Sequence, residues 1–459
     1  MGTGSSPRFD RVIGIVGHPT TPDVAWSDEQ LEALRGLGVE TLQLAIAWAW
    51  RPANEVLNLE HLDDPRNVTE WRRRIEAARR HGFRTLAHFG LPVGPSEDAT
   101  TCILDPAVRQ SYAGRLRRLF DAFPEIDDVM IYTYDQLAWL CSEFGNCPRC
   151  HGVPLHERLV PFLELLVDAV QEGKPRVRLW WEPWELSAGQ TFMIADRIRP
   201  DHFGLLLHST IAEVQFVNRT DQWFRNLSRL AASRGVPVIG EGFFGGAGED
   251  VDPLTHLACP RLVYQQLAAL RDAEGVVGVK EYYGFVPAHF SVNARLFGAF
   301  LRQPNASLDD LLTPIAARYG RSAAPVLREA WEATAFALEL FPWDASWLLR
   351  RIFDGTRSGD GRSVKGASWM TPAWQANRRG FYMVTDEPSQ HPWLREDVGL
   401  RALHAARAFD KAATLLERAV QEAQHEREDV MLQLREVRRA ASVSEGYARA
   451  LIENLHCSS

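Results

Sequence analysis

The amino-acid sequence predicts an α/β fold, a (β/α)8 TIM barrel over residues 8–304, followed by an all-α C-terminal domain over residues 305–459. The first reason is that short β-rich runs alternate eight times with amphipathic stretches between Arg11 and about Pro287, which is the order of elements in a parallel barrel. The second is that the strand pattern stops near Asn305, after which long helical patterns continue to the end.

The eight β-rich runs have the length and apolar character of buried strands. In chain order they are RVIGIVG, VETLQLAIAW, FRTLAHFG, DVMIYTYD, RVRLWWEPWE, FGLLLHST, PVIGEGFFGG and GVVGVKEYYGF. Helical patterns such as DEQLEALRGLG lie between them, and several end at a glycine, a usual helix stop. A doubly wound open sheet is the competing architecture. The first strand is not followed by a glycine-rich phosphate loop, so a nucleotide-binding version has little support.

Composition narrows the class of protein. Apolar residues make up 46% and charged residues 24% of the 459 residues, which is typical of a soluble globular protein. The net charge of −8 argues against a nucleic-acid or anionic-membrane partner. Because no signal-peptide pattern and no apolar run of membrane-spanning length is present, we expect a cytoplasmic protein with reduced thiols.

Acidic side chains end several of the predicted strands, where barrels place their active sites. Asp135 closes strand four, Glu182 closes strand five and Glu241 closes strand seven, whereas Glu185 and Glu281 are weaker candidates. Two carboxylates around one barrel mouth are the groups that glycoside hydrolysis needs. One protonates the leaving oxygen, and the other attacks the anomeric carbon or activates water. Each acid taken alone is better explained as a helix cap or an ion-pair partner, whereas the set at one barrel rim favours a functional site.

The alternation of side chains along a strand refines the choice of acids. In RVRLWWE, Arg178, Trp180 and Glu182 share one face, which we predict to point into the barrel. Glu241 lies between two glycines, a pattern that predicts room for a ligand near its backbone. Glu281 directly follows Lys280, and an ion pair between these two residues is an alternative to a role in the site.

Other strand ends provide aromatic and imidazole side chains for contacts with a substrate. The predicted substrate-binding residues are Trp48, His88, Tyr134, Trp180, Trp184, His208 and Tyr282. Aromatic faces pack well against sugar rings, and the chain has 15 tryptophans. Tryptophan and tyrosine are also common in large cores, so each of these aromatic residues could be either a substrate contact or a core residue.

Three of the six cysteines lie in CSEFGNCPRCHG, residues 141–152. Cys147 and Cys150 have the C-x-x-C spacing that lets two thiolates bind one zinc ion, and Cys141 offers a third thiolate. Cys102, in the loop after strand three, is the predicted fourth ligand because adjacent barrel loops touch, and His151 is an alternative ligand. Reduced structural cysteines without a metal remain the competing interpretation.

The cysteine loop resembles that of the glycoside hydrolase family 42 β-galactosidases. In those barrels, one cysteine after strand three and three after strand four hold a structural zinc beside the active site. A similar cysteine loop, with a helical domain after the barrel, occurs in the family 67-like, glucuronidase-like barrels. The stretch ARYGRSAAPVLREAWEATAFAL is similar to the opening of that helical domain.

This resemblance implies roles for two strand ends, with departures. The family 42 pattern ends strand four with Asn-Glu, the Glu being the acid/base, whereas this chain has Tyr134-Asp135 and a displaced EFG at Glu143. The acid/base is therefore either Asp135 or Glu143. Glu241 matches the position of the nucleophile at the end of strand seven. The interval from Cys141 to Cys147 is wider than in the family.

The leading hypothesis is a glycoside hydrolase that acts on a small glycoside or oligosaccharide. Asp135 would be the general acid/base and Glu241 the nucleophile, with Glu182 assisting by its charge or acting as the base of an inverting enzyme. One rival is a metal-dependent barrel hydrolase, which would need more histidines at the strand ends. The other is a non-catalytic sugar-binding barrel or scaffold. The C-terminal helices carry apolar stripes that suit packing on the barrel or on a second copy, as in a homo-oligomer.

Overall fold

The fold is taken from a computed structural model of the chain. It describes residues 9–16, 26–44, 62–90, 101–133, 140–141, 143–183, 186–209, 220–245, 257–281, 292–343 and 392–452. The stretch RIFDGTRSGDGRSVKGASWMTPAW at 351–374, which is rich in Gly and Ser and interrupts the helical patterns of the sequence, lies outside the described residues.

Eight parallel strands close into a barrel in which each strand pairs with its neighbours in chain order and β8 pairs with β1. The strands are β1 Arg11–Ile15, β2 Thr41–Leu44, β3 Arg84–Gly90, β4 Asp128–Tyr132, β5 Leu179–Glu182, β6 Phe203–His208, β7 Val238–Gly242 and β8 Val276–Glu281. Each lies within one of the eight β-rich runs of the sequence. The predicted closed barrel is confirmed, and the open sheet is excluded.

The interior of the barrel is filled by side chains in layers, as closed eight-stranded barrels require. At the N-terminal end of the strands, Asp128 binds the guanidinium groups of Arg11 and Arg84. The middle layer is apolar and consists of Ile13, Leu86, Met130, Trp180, Leu206 and Ile239. Several of these strands carry a polar residue two positions after their apolar residue of the middle layer, among them His88, Glu182, His208 and Glu241. The middle layer therefore supports a polar layer at the C-terminal end of the barrel.

Trp180 points inward as predicted, but it belongs to the middle layer of the barrel. Its side chain is buried, and the guanidinium groups of Arg11 and Arg178 lie 5.3 Å and 5.7 Å from its ring centroid. The neighbouring strand makes room with Gly204, where a Cβ atom would lie 2.4 Å from the indole ring. Trp180 is thus a core residue beneath the mouth, and the prediction that it contacts a substrate is corrected.

Eight helices follow the strands and cover the outside of the barrel. They are α1 Asp28–Leu37, α2 Pro65–Arg80, α3 Pro106–Ala122, α4 Leu155–Gly173, α5 Ala188–Arg197, α6 Gln222–Ser233, α7 Pro260–Arg271 and α8 Val292–Arg302. Local sequence explains several starts, because Ser27, Asp64, Asp105, Ser187 and Asp221 each accept a backbone N–H of the first turn. Gly38 ends α1 in the left-handed conformation, at φ 98°.

The described part of the C-terminal region consists of helices joined by short turns and contains no strand. It contains α9 Leu308–Ala317, α10 Ala323–Leu340, α11 Pro392–Glu422 and α12 Arg427–Ile452. α11 packs on both α10 and α12. Ion pairs join this region to the barrel helices, from Arg261 on α7 to Glu332 and Glu339, and from Arg295 on α8 to Glu426. The domain boundary at residues 304–305 stays a prediction, and it falls between α8 and α9.

Among the helices that the structure describes, none combines the length and apolar character that crossing a bilayer requires.

Candidate active site

Four adjacent strands bring two acids and two bases together at the C-terminal end of the barrel. Glu182 ends β5, His208 ends β6, Glu241 lies on β7 and Lys280 on β8. The strand register explains the arrangement, because Glu241 is the register partner of His208 on one side and of Lys280 on the other. The side chains are buried, with exposed fractions of 5% for Glu182, 8% for His208, 0% for Glu241 and 2% for Lys280.

His208 lies between the two carboxylates. Its Nε2 atom is 2.7 Å from Oε1 of Glu182, where it forms a hydrogen bond, and 2.9 Å from Oε2 of Glu241. Lys280 Nζ donates to the other oxygen of Glu241, Oε1. One atom from each of Glu182, His208 and Glu241 lies within 4.8 Å of the other two. The two carboxylates are therefore close neighbours.

A second imidazole approaches Glu182 from β3. His88 Nε2 lies 3.7 Å from Oε2 of Glu182, and Nδ1 of the same ring lies 2.8 Å from the side-chain amide nitrogen of Gln43. Because the amide nitrogen only donates, Nδ1 accepts, which assigns the ring hydrogen of a neutral His88 to Nε2. The Tyr132 ring lies 4.9 Å from the His88 ring. These contacts fix the orientation of His88 and direct its N–H towards Glu182.

The environments push the pKa values of the two acids in opposite directions. Burial raises the pKa of Glu182, and the charge of Glu241 adds to this effect, while His208 and Lys280 partly offset it. Burial also opposes ionisation of Glu241, yet Lys280 and His208 lower the pKa of Glu241 to about 2. Such a divergence is typical of acid/base pairs in active sites. Glu241 is the ionised member.

The two imidazoles also differ. Burial favours neutral His208, but the charge of Glu241 and the hydrogen bond to Glu182 raise the pKa of His208 to about 9. Burial and the charge of Lys280 lower the pKa of His88 to about 3. Near neutral pH, His208 is therefore a cation and His88 is neutral. Together with Lys280, His208 places positive charge beside the carboxylates of the cluster.

The predicted site residues divide into two groups. Glu182, Glu241, His88 and His208 lie together, as described above. Trp48, Tyr134, Asp135, Trp184, Tyr282 and also Glu185 lie outside the described residues. Of the clustered side chains, His88 is the most accessible, with 17% of its surface exposed.

Two interpretations of strands seven and eight were wrong. Glu281 is not the partner of Lys280, because adjacent residues of a strand point to opposite faces. Its carboxylate instead accepts the backbone N–H groups of Phe244 and Gly245, at 2.6 Å and 3.0 Å.

The glycines beside Glu241 make room for packing and not for a ligand. A Cβ at Gly240 would lie 2.5 Å from Leu270 of α7, and one at Gly242 would lie 3.0 Å from the Phe244 ring.

Sequence reasoning missed Lys280 and Gln43 as members of the site. The signal for Lys280 was its position within an otherwise apolar strand, GVVGVKE, where a buried lysine needs an anionic partner. Gln43 had a weaker signal, a polar residue within TLQL. Neither signal identifies the partner, because that depends on the register between strands.

The four predicted cysteine ligands meet beside the barrel mouth. The Sγ atoms of Cys102, Cys141, Cys147 and Cys150 lie within 4.8 Å of one another, with 3.4 Å from Cys102 to Cys150 and 3.7 Å from Cys102 to Cys147. The loops after β3 and β4 are joined by a parallel bridge between Thr101 and Leu140. Four thiols at these distances could hold a metal ion. Cys259 is buried elsewhere, beside Asn293.

A buried arginine organises the cysteine loop. Arg158 of α4 donates to the carbonyl oxygens of Cys141 and Val153, at 2.6 Å and 2.9 Å, and to the carboxylate of Glu143 at 3.0 Å. Because Glu143 is paired with a fully buried guanidinium, the structure supports a structural role for it and not that of acid/base. His151 is also engaged, since its Nδ1 lies 2.9 Å from the carbonyl oxygen of Gly145.

Comparison with known proteins supports the fold. No protein-family model matches the sequence, and no curated protein matches it. Among solved structures, a glycoside hydrolase family 138 enzyme that targets pectin rhamnogalacturonan II superposes with a TM-score of 0.61 at 10% identity. The match covers 98% of this chain and 59% of that enzyme, so this chain spans little more than half its length. An O-GlcNAc hydrolase variant from Thermobaculum terrenum has a TM-score of 0.52 at 10% identity, covering 97% of this chain and 95% of that one.

Proposed function

We propose that the protein is a glycoside hydrolase that acts on a small glycoside or oligosaccharide. The observation that carries the proposal is the pair of buried carboxylates, Glu182 and Glu241, which meet at the C-terminal end of the barrel with their pKa values shifted in opposite directions. Glycoside hydrolysis needs such a pair, one carboxyl group that holds a proton and one that is ionised. Both superposed enzymes act on carbohydrates by their names, which agrees with a carbohydrate substrate.

Glu241 is the proposed nucleophile. Its carboxylate attacks the anomeric carbon, the bond from that carbon to the leaving oxygen breaks, and the leaving oxygen takes a proton from an acid. Water then attacks the same carbon, gives up a proton to the conjugate base of that acid, and releases the Glu241 carboxylate. The low pKa of Glu241 keeps it ionised for the first step.

We propose that anomeric configuration is retained. Retaining enzymes place their two carboxyl groups about 5–5.5 Å apart, whereas inverting enzymes need about 6.5–9.5 Å to admit water between them. One carboxylate oxygen of Glu182 and one of Glu241 lie within 4.8 Å of each other, and His208 lies between the two carboxylates. This separation disfavours Glu182 as the base of an inverting reaction.

The proton donor has two candidates. Asp135 follows β4, the position of the acid/base in the similar families, and its competitor Glu143 is paired with Arg158. Glu182 is the second candidate because its pKa is raised. We assign the proton to Glu182, whose pKa is raised and which lies beside Glu241, and Asp135 stays the alternative donor on its position after β4. Replacing the true donor slows substrates with poor leaving groups far more than those with good ones, because only the former require protonation.

We further propose that Cys102, Cys141, Cys147 and Cys150 bind one structural zinc ion. Tetrahedral zinc with Zn–S bonds of about 2.3 Å places its sulfur ligands about 3.8 Å apart. Two of the sulfur–sulfur separations in the structure, 3.4 Å and 3.7 Å, are close to this value. The ion would cross-link the loops after β3 and β4, which contain these four cysteines. A cytoplasmic location, where thiols stay reduced, belongs to the same proposal.

A panel of nitrophenyl glycosides tests the proposed activity. The wild-type protein is expected to hydrolyse at least one member, and Glu241→Gln is expected to lower kcat/KM by about 10⁴-fold or more, in the range for loss of a nucleophile. Glu143→Gln is the matched control, a carboxylate lost from the same end of the barrel, and it should retain most activity. If Glu241→Gln stays as active as the control, the nucleophile is wrongly assigned and Glu182 becomes the first replacement.

The same panel distinguishes the rival functions. A non-catalytic sugar-binding barrel would bind a glycoside without turning it over, so binding by calorimetry with no product would favour that rival. A metal-dependent hydrolase would lose activity when a chelator removes a catalytic metal and the fold stays intact.

A further inference from the structure

Lys280 lies where its ammonium group can hold one carboxylate oxygen of Glu241 in place. The two residues are register partners on β7 and β8, and both point into the barrel. The ammonium group is 2% exposed and donates to Oε1 of Glu241, which is fully buried. The contact is therefore held by adjacent strands of the barrel and not by a loop.

The second oxygen of Glu241 is in a different position. His208 Nε2 lies 2.9 Å from Oε2, but the hydrogen bond of this nitrogen goes to Glu182, at 2.7 Å. A single ring N–H cannot be well aligned with both oxygens. Within the part of the chain that the structure describes, Oε2 of Glu241 thus receives an ionic contact and no hydrogen bond. The two oxygens of one carboxylate are therefore not equivalent.

From this asymmetry we infer that Lys280 is a positioning residue, which clamps Oε1 of Glu241 so that Oε2 is the oxygen that attacks the anomeric carbon. The inference rests on the proposed function, because only a nucleophilic Glu241 needs one constrained oxygen and one reactive oxygen. Lys280 acts through Glu241 and does not touch the substrate.

The burial of this pair argues for a role beyond stability. Taking a lysine and a carboxylate out of water carries a large desolvation cost, and apolar residues of similar size are often equally stabilising. A buried lysine next to a strand-end glutamate is thus an inefficient way to fill the barrel. It is an effective way to keep a carboxylate ionised in a dry site, since the cation favours the charged form.

Several titratable groups surround Glu241, and the charge of each affects the pH at which Glu241 ionises. Lys280 lies on β8, His208 on β6, Glu182 on β5 and, behind Glu182, His88 on β3. Lys280 and His208 favour ionised Glu241, whereas the Glu182 charge opposes it. Removing Lys280 leaves His208 as the only cation of this group and should move the titration of Glu241 upward.

The test is the pH profile of kcat/KM for Lys280→Met on a nitrophenyl glycoside that the wild type hydrolyses. The acid limb reports the ionisation of the free enzyme's essential base. We expect that limb to move up by at least one pH unit and kcat to fall at least about 100-fold, with KM changed less than threefold. Lys280→Arg should keep the acid limb near the wild-type position. Lys174→Met is the matched control and should match the wild type, because Lys174 is a half-buried lysine at the end of α4 that donates to the Pro124 carbonyl, outside the cluster.

A stability comparison keeps the inference falsifiable if Lys280→Met folds poorly. Lys280→Met should lower the urea midpoint because the buried Glu241 carboxylate loses the cation that hydrogen-bonds to its Oε1, and adding Glu241→Gln should restore the midpoint. An unmoved acid limb with kcat within threefold of the wild type would overturn the inference, as would a double variant no more stable than Lys280→Met. If the wild type hydrolyses no glycoside, the proposed function fails and the nucleophile role of Glu241 fails with it, even where the stability comparison confirms the ion pair.

Discussion

Raising the pH should destabilise the protein through one residue, His208. The imidazole lies between Glu182 and Glu241, is 8% exposed, and has its pKa raised from 6.5 to about 9. A base whose pKa is raised by folding stabilises the fold fully below its unfolded pKa, about 6.5, and this contribution disappears as the pH rises through the folded pKa. The loss is therefore expected between about pH 6.5 and 9.

The size of the effect follows from the shift in pKa. One unit corresponds to about 1.4 kcal/mol, so the change from 6.5 to about 9 is equivalent to about 3 kcal/mol of unfolding free energy. Because His208 is almost fully buried, solvent screening reduces this figure little. The raised pKa of Glu182 adds a decline of its own that begins above about pH 4.3, which is why a variant must isolate the histidine.

Urea unfolding of the wild type and of His208→Gln, measured from pH 6 to pH 10, tests this expectation. The variant should be less stable at pH 6, and the difference should shrink by about 3 kcal/mol by pH 10, where the wild-type imidazole has also lost its charge. His404→Gln, at an exposed position on α11, is the control and should follow the wild type at every pH. A difference between wild type and His208→Gln that stays constant with pH would refute the reasoning.

Three other substitutions give direct expectations. Cys150→Ser should remove about one zinc per chain by elemental analysis and lower the melting temperature, while Cys259→Ser should keep the metal. An equal zinc content in both variants would contradict the four-cysteine site. Gly204→Ala should cost about 1–3 kcal/mol in urea unfolding, because its Cβ would lie 2.4 Å from the Trp180 ring. An unchanged midpoint would contradict the packing described. Glu143→Gln should lower stability more than it lowers kcat, because its carboxylate binds buried Arg158 and takes no part in the reaction. A loss of kcat as large as that of Glu241→Gln would reverse this assignment.

The barrel was predictable because its pattern is local. Each strand is a short apolar run, and each helix shows a period and caps that can be recognised without knowing what it packs against. Glu182 and Glu241 were predictable for the same reason, since barrels place their sites at the C-terminal ends of strands. The four cysteines followed from one spacing rule and the contact of adjacent loops.

The partners within the site were not predictable from local patterns. Glu281 was paired with its sequence neighbour Lys280, but the period of two in a strand sends the two side chains to opposite faces. Which residue then meets Lys280 depends on the register between β7 and β8, and that register is set by the closed barrel as a whole. The role of Trp180 was not predictable from the sequence either. Whether an inward-pointing residue lies in the core or at the mouth depends on its level along the barrel axis, which the local pattern does not give.

The central claim, that Glu241 is the nucleophile of a retaining glycosidase, is tested most directly by trapping the covalent intermediate. The protein would be incubated with a 2-deoxy-2-fluoro glycoside of the sugar that the nitrophenyl panel identifies, digested, and analysed by mass spectrometry. The account predicts one glycosyl group per chain, attached through an ester to Glu241, and no label in Glu241→Gln. A label on Glu182, or no label on an enzyme that hydrolyses the parent glycoside, would contradict it.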